Sequence, residues 1–195
     1  MVSSSREVRF LHAMRLLDDG RAQEALQIGN ALVSSDDEGD RLSGYLCLGF
    51  TYEDGGEGHR PDMERAIHNY RQAALIAPDP VTFCCLARSS MKRSDGDGYQ
   101  DALRFLQEAA KLRLTPAVAL GFAHYHRVKP HRDLEEAKKF YLRAAVSGRF
   151  SGFFGYSAVA RELSQQGRAL VADCIRTVLG PLIALLLGRR AQDRF

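Results

Sequence analysis

The sequence predicts an all-α protein built as a stack of about five antiparallel helical hairpins. Three observations carry this. The segment Ala66–Ala74 (AIHNYRQAA) returns as Ala102–Ala110 (ALRFLQEAA) and as Ala137–Ala145 (AKKFYLRAA), 36 and then 35 residues further on. Self-similarity at that period marks repeated helical hairpins, each burying its apolar face against its neighbours. Apolar residues recur at helical spacing between turns rich in Gly, Pro and Asp. The 195 residues are 45% apolar, enough for one compact domain or one short solenoid.

The elements follow in order. Residues 1–5 read as a flexible tail and residues 6–190 as a single repeat domain, with a second tail at 189–195. The hairpins fall at about 6–34, 40–77, 80–114, 116–148 and 151–188. In the first, Glu7 to Leu17 forms a helix with Val8, Leu11, Met14 (or Arg15) and Leu17 at near-helical spacing. Asp18-Asp19-Gly20 turns the chain, and Ala22 to Val33 returns it with Ala25, Leu26 and Leu32 inward. Ser34 to Asp40 is an acidic linker that signals a helix start.

The next three hairpins share one template. Each first helix carries a leucine and a small residue, Leu48-Gly49, Leu86-Ala87 and Leu120-Gly121, where helices can approach closely. A polar loop follows, Glu53 to Pro61 and Arg93 to Gly98 being the clearest. The acidic residues Asp62, Asp101 and Asp133 then precede the second helices, suited to bind free N–H groups or favour the dipole. Tyr70, Leu106 and Tyr141 hold equivalent places inside those helices, and Ala73-Ala74, Ala109-Ala110 and Ala144-Ala145 close them. Pro78 and Pro80, Thr115-Pro116 and Ser147-Gly148 read as stops. The fifth hairpin departs from the template, as a terminal repeat should. Its second helix runs on as VADCIRTVLGPLIALLLGRR, with Pro181 expected to kink or restart it.

Leu48, Gly49, Tyr52, Gly55, Asp62, Arg65-Ala66, Tyr70, Ala73 and Ala74 resemble the Sel1-like repeat, a branch of the tetratricopeptide-like superfamily. So do Leu120, Gly121, Asp133, Glu136-Ala137, Phe140-Tyr141, Arg143, Ala144, Ala145 and Gly148. The third unit is degraded, with Leu106 for the aromatic residue and Ala87 for the glycine. The resemblance covers about residues 40–150, and loosely 6–190. It implies a right-handed α-solenoid and work as an adaptor or scaffold in signalling, secretion, exopolysaccharide systems or protein quality control. It does not by itself imply catalysis.

Composition narrows the function. With 27 basic and 24 acidic residues and a net charge of +3, the chain lacks the basic stripe of a nucleic-acid binder. Arg189, Arg190 and Arg194 read as a solvated helix end. Cys47, Cys84, Cys85 and Cys174 form no CxxC pair or Cys–His zinc spacing, and read as reduced thiols. No stretch resembles a secretory signal or a membrane span, so the expected location is cytoplasmic. No constellation for catalysis, metal or cofactor stands out. The loop EDGGEGHRPD lacks the ligand alternation of a calcium loop and the GK[ST] of a phosphate loop. His124 and His126, two apart on a helix, point to different faces, and His124 aligns with the core-side Tyr52.

Two surfaces remain as candidate binding sites. One stripe of the first helices carries Phe50, Arg88, Lys92, Phe122, His126 and Tyr156. Aromatic and arginine residues anchor interfaces, so this stripe would form a groove for a peptide with apolar anchors and some negative charge. Equally, its aromatics could pack between hairpins as ordinary core. The other surface is the C-terminal helix, where Leu179, Leu182, Ile183, Leu185, Leu186 and Leu187 leave no polar face. Burying these six would contribute about 10 kcal/mol. Self-association as a homodimer or a partner comes first, folding back second and membrane contact third. The expectation is a non-enzymatic adaptor binding another protein, with no cofactor and no nucleic acid. The alternative is a membrane-associated component of a bacterial envelope, secretion or exopolysaccharide system, anchored through that helix.

Overall fold

The structure, a computed structural model, describes residues 5–93 and 97–187, with backbone alone at 5, 176 and 179–187. Among the described residues the chain is all-α, with ten helices and no strand. They are α1 (Ser5–Asp18), α2 (Ala22–Val33), α3 (Glu38–Asp54), α4 (Met63–Ile76), α5 (Pro80–Met91), α6 (Gly98–Leu112), α7 (Pro116–Val128), α8 (Leu134–Val146), α9 (Gly152–Glu162) and α10 (Gln166–Leu187). The chain divides into two compact units, Met1–Phe105 and Leu106–Phe195, with the division inside α6.

In the first unit α1 packs on α2 and α3, α2 on α3, α3 on α4, and α4 on α5. In the second, α7 packs on α8, α8 on α9, and α9 on α10. The buried faces follow helical periodicity. Ala25, Leu26, Gly29 and Leu32 are buried in α2, and Ala66, Ile67, Tyr70 and Ala73 in α4. In α8, Ala137, Tyr141, Ala144 and Ala145 are buried. These sets share the spacing i, i+4, i+7 that puts one stripe toward a neighbour. The three template positions Tyr70, Leu106 and Tyr141 are all buried.

The first helix turns a different stripe inward from the one its periodicity suggests. Val8 and Leu11 are exposed, and Ala13, Met14 and Leu16 are buried. Phe10, Ala13, Met14 and Leu17, spaced i, i+3, i+4 and i+7, join the cluster with Ala25 and Cys47.

Caps set the helix starts. Asp62 accepts from the Arg65 N–H at 3.0 Å and Asp133 from the Glu136 N–H at 3.0 Å. Asp101 is not a cap. It lies in the first turn of α6, where it meets Arg104 at 2.6 Å and Arg93 at 3.6 Å. Pro80 and Pro116 begin α5 and α7 instead of ending their predecessors. Asp79 and Thr115 cap those starts, and proline fits a first turn because its missing N–H has no helical partner there. Helix α10 runs on through Pro181 without a restart. Proline removes one backbone hydrogen bond and need not end a helix.

Two glycines let backbones meet. A Cβ on Gly44 of α3 would sit 2.6 Å from the Val33 nitrogen, and one on Gly152 of α9 would sit 2.5 Å from the Tyr141 carbonyl oxygen. The glycine of the repeat template works otherwise. At Gly49 the space holds the Tyr70 ring, whose Cε1 would lie 2.5 Å from an added Cβ. Loop 55–62 is also tied down. The Glu57 N–H donates to the Gly20 carbonyl at 2.8 Å, across to the α1–α2 turn, and the Asp62 N–H donates to the Tyr52 carbonyl at 2.7 Å.

Candidate functional site

The first unit holds a buried charge. Glu53, on the last turn of α3, is fully buried at its side chain. Arg88 grips it with two parallel bonds, Nε to Oε1 and Nη2 to Oε2, each 2.6 Å. Lys92, one turn further along α5, donates to Oε1 at 2.8 Å, and the Tyr70 hydroxyl donates to Oε2 at 3.0 Å. Burial alone would push the Glu53 carboxyl up. The hydrogen bonds and charges of Arg88 and Lys92 outweigh burial and hold it below its ordinary range. The bidentate fork and the extra donors satisfy a carboxylate that would otherwise be costly to bury.

The sequence places Arg88 and Lys92 in the candidate partner-binding stripe of the first helices. The structure brings them together with their charged ends on Glu53, joining α3 to α5. Phe50 meets the Tyr70 ring edge-to-face at 5.5 Å and packs on the α1–α3 core cluster.

In the second unit Phe122 and His126 share one partner. Phe140 of α8 stacks on Phe122 at 5.0 Å and on His126 at 5.7 Å, with its ring nearly parallel to the imidazole. Among the described residues the buried His126 Nδ1 has no hydrogen-bond partner. Burial first, then the Lys129 charge, pushes its pKa down and favours the neutral ring. His124 is largely exposed, not on the core side that its alignment with Tyr52 suggests; its Nδ1 lies 3.4 Å from the Tyr141 hydroxyl. Among the described residues, no group of three or more His, Cys, Asp or Glu side chains could hold a metal ion.

Tyr156 of α9 faces a groove between α8, α9 and α10 of about 240 Å³, lined also by Leu142, Phe153, Val171, Ala172 and Ile175. Its walls are almost entirely apolar, with Arg168 at the rim. On the same helices Val146, Phe154 and Leu170 are 71%, 55% and 63% exposed. Leu142 and Val171 belong to second helices of hairpins, which is why a search along the first helices passes over them. The side chains of Leu179, Leu182, Ile183, Leu185, Leu186 and Leu187 lie outside the described residues. Among the described residues, no helix is long and apolar enough to cross a membrane.

None of the four cysteines forms a disulfide. Burial raises the Cys47 thiol to about 11 and the Cys85 thiol to about 12, so both stay protonated near neutrality. A thiol-reactive disulfide reagent at pH 7.5 is expected to label the exposed Cys174 first and to reach Cys47 and Cys85 only after denaturation. Labelling of Cys85 in the native chain at a rate matching Cys174 contradicts the packing of α5.

No family model matches the chain, and neither a curated protein nor a solved structure matches it significantly.

Proposed function

We propose that the chain is a Sel1-like repeat adaptor, a right-handed solenoid of five hairpins that binds a protein partner and carries out no reaction of its own. Within the two units, α1 to α5 and α7 to α10 pack on their sequence neighbours, as stacked hairpins do. The buried Tyr70, Leu106 and Tyr141 at one template position support a common repeat.

The observation that carries the binding reading is the apolar groove of α8, α9 and α10. Monomeric proteins seldom leave an apolar concavity open on helices that expose further large apolar side chains without a use for it. Tyr156 supplies an aromatic anchor there, and Leu142 and Val171 supply the flanks. The matching occupant is the apolar face of a helix or extended segment from another protein, with Arg168 reaching its polar edge. Four cysteines without a disulfide suit a reducing compartment, and the cytoplasm is the proposed location.

The test replaces Leu142 and Val171, which are 40% and 59% exposed, by aspartate. Proteins crosslinked to the tagged chain in its native cell are then compared quantitatively. We expect at least one partner captured by the parent chain to fall about tenfold or more, the effect of losing an interface anchor. Helix content and melting temperature should stay at the parent values. A full set of partners retained by both variants rejects the groove as the binding surface.

A further inference from the structure

A second concavity belongs to the first unit. It lies where loop 55–62, the start of α4 and the end of α5 come together, and its volume is about 550 Å³. Four cations line it, Arg60, Arg65, Lys92 and Arg93, with His59 beside them, against the carboxylates of Asp62 and Glu64.

These cations differ in how firmly they are held. Lys92 is fixed on the buried Glu53 and forms part of the wall. Arg60 is exposed and makes no ion pair among the described residues. Arg65 meets Asp62 at 3.4 Å with both side chains well exposed. Arg93 is 20% exposed and is held between Glu64 at 3.0 Å, itself 71% exposed, and the largely covered Asp101 at 3.6 Å, so it too belongs to the wall, with Glu64 as its exchangeable partner. Ion pairs with a solvated member are weak, so an incoming carboxylate can exchange with Asp62 or Glu64 at little cost.

The geometry selects among anions. A compact phosphate binds best where free backbone N–H groups converge at a helix start. Here the Asp62 carboxylate already caps that start, accepting from the Arg65 N–H, and its charge opposes a compact anion at the same place. What remains are side-chain cations spread over a loop, a helix start and a helix end. That spacing fits several carboxylates along one chain better than one small anion. Nucleic acid is a poorer match, because among the described residues the one aromatic ring lining the pocket, His59, already packs on Tyr52 at 5.2 Å.

We propose that this pocket binds an acidic segment of the partner protein, a stretch rich in aspartate and glutamate. The proposal rests on the adaptor reading and adds the chemistry of what the first unit recognises.

The test uses the full chain and a fluorescein-labelled hexaglutamate peptide, followed by fluorescence anisotropy. Saturable binding at low salt that weakens as salt rises is expected. The double change Arg60→Ala with Arg65→Ala should weaken it about tenfold or more, while Lys111→Ala, outside the pocket, should leave it unchanged. Because Glu64 competes for Arg93, Glu64→Gln should tighten binding about two- to fourfold, a gain that unfolding cannot imitate. Equal binding by the parent and the double variant overturns the proposal. So does tighter binding of inorganic phosphate, or of a labelled oligothymidylate of equal charge, than of the peptide. Failure here with partner capture still dependent on Leu142 and Val171 removes only this inference; failure of both removes the adaptor reading as well.

Discussion

Arg88→Met is expected to destabilise the chain by about 3 kcal/mol, because removing one partner from a buried ion pair strands the other. The stranded group is Glu53, whose side chain is fully buried while Arg88 and Lys92 remain 39% and 46% exposed. Lys92 and the Tyr70 hydroxyl still reach the carboxylate, which keeps the loss at the lower end of the usual range. Adding Glu53→Met should restore most of the lost stability, since the remaining Lys92 can hydrate and an apolar pair packs in place of the ionic one. Urea unfolding of the parent, the single and the double variants measures both effects. A single variant as stable as the parent, or a double variant no better than the single, contradicts this account of α3 and α5. Acid gives a second readout. Glu53 is held below its ordinary value in the folded chain, so its contribution is complete above the unfolded-state pKa and is lost as pH falls through the lowered folded value. Without Arg88 the folded-state carboxyl rises toward or past its unfolded value, so the part of the acid destabilisation that comes from Glu53 should shrink or reverse.

Gly152→Val is expected to cost about 3 kcal/mol by forcing α9 off α8, the upper end of overpacking effects. A side chain there meets the α8 backbone at two atoms, 2.5 Å from the Tyr141 oxygen and 2.7 Å from the Ala145 nitrogen. Backbone inside a helix cannot rotate away as a side chain can. Gly44→Ala should destabilise in the same direction, with its Cβ 2.6 Å from the Val33 nitrogen. Gly167→Ala, with nothing within 4 Å, should be neutral or stabilising by up to about 1 kcal/mol, from helix propensity. Thermal melting of the three variants ranks them. If Gly152→Val melts with the parent, α9 does not rest on α8 as described.

Where helical periodicity was unambiguous, the sequence was a sufficient guide. Ala66, Tyr70 and Ala73, and their counterparts Ala137, Tyr141 and Ala144, are buried on the stripe that their spacing marks. Helix α1 misled because it offers two stripes. Val8 and Leu11 are larger than Ala13, yet Ala13 joins Ala25 of α2 and Cys47 of α3 in one core cluster and is fully buried. Prolines 80 and 116 have one fixed φ that suits both an ending and a beginning, and only the adjacent Asp79 and Thr115 distinguish them. Glu53 was illegible for a different reason. Beside Asp54 and Gly55 it looks like loop, and its partners stand 35 and 39 residues away. The hint was Arg88 and Lys92 themselves, two cations one helical turn apart with no acidic residue between them on α5. The groove of α8, α9 and α10 depends on how three helices meet, and no single helix announces it.

The bond from Glu57 to Gly20 bears on how far this chain is modular. Repeat arrays invite shortening, swapping or grafting of whole units. Here the second hairpin's glycine-rich connection is completed by the turn of the first, and Cys47 of α3 is covered by Ala13, Met14 and Ala25. Trimming the amino-terminal pair would orphan that amide and bare that sulfur, so the first two hairpins form one indivisible cassette for any re-engineering of the array.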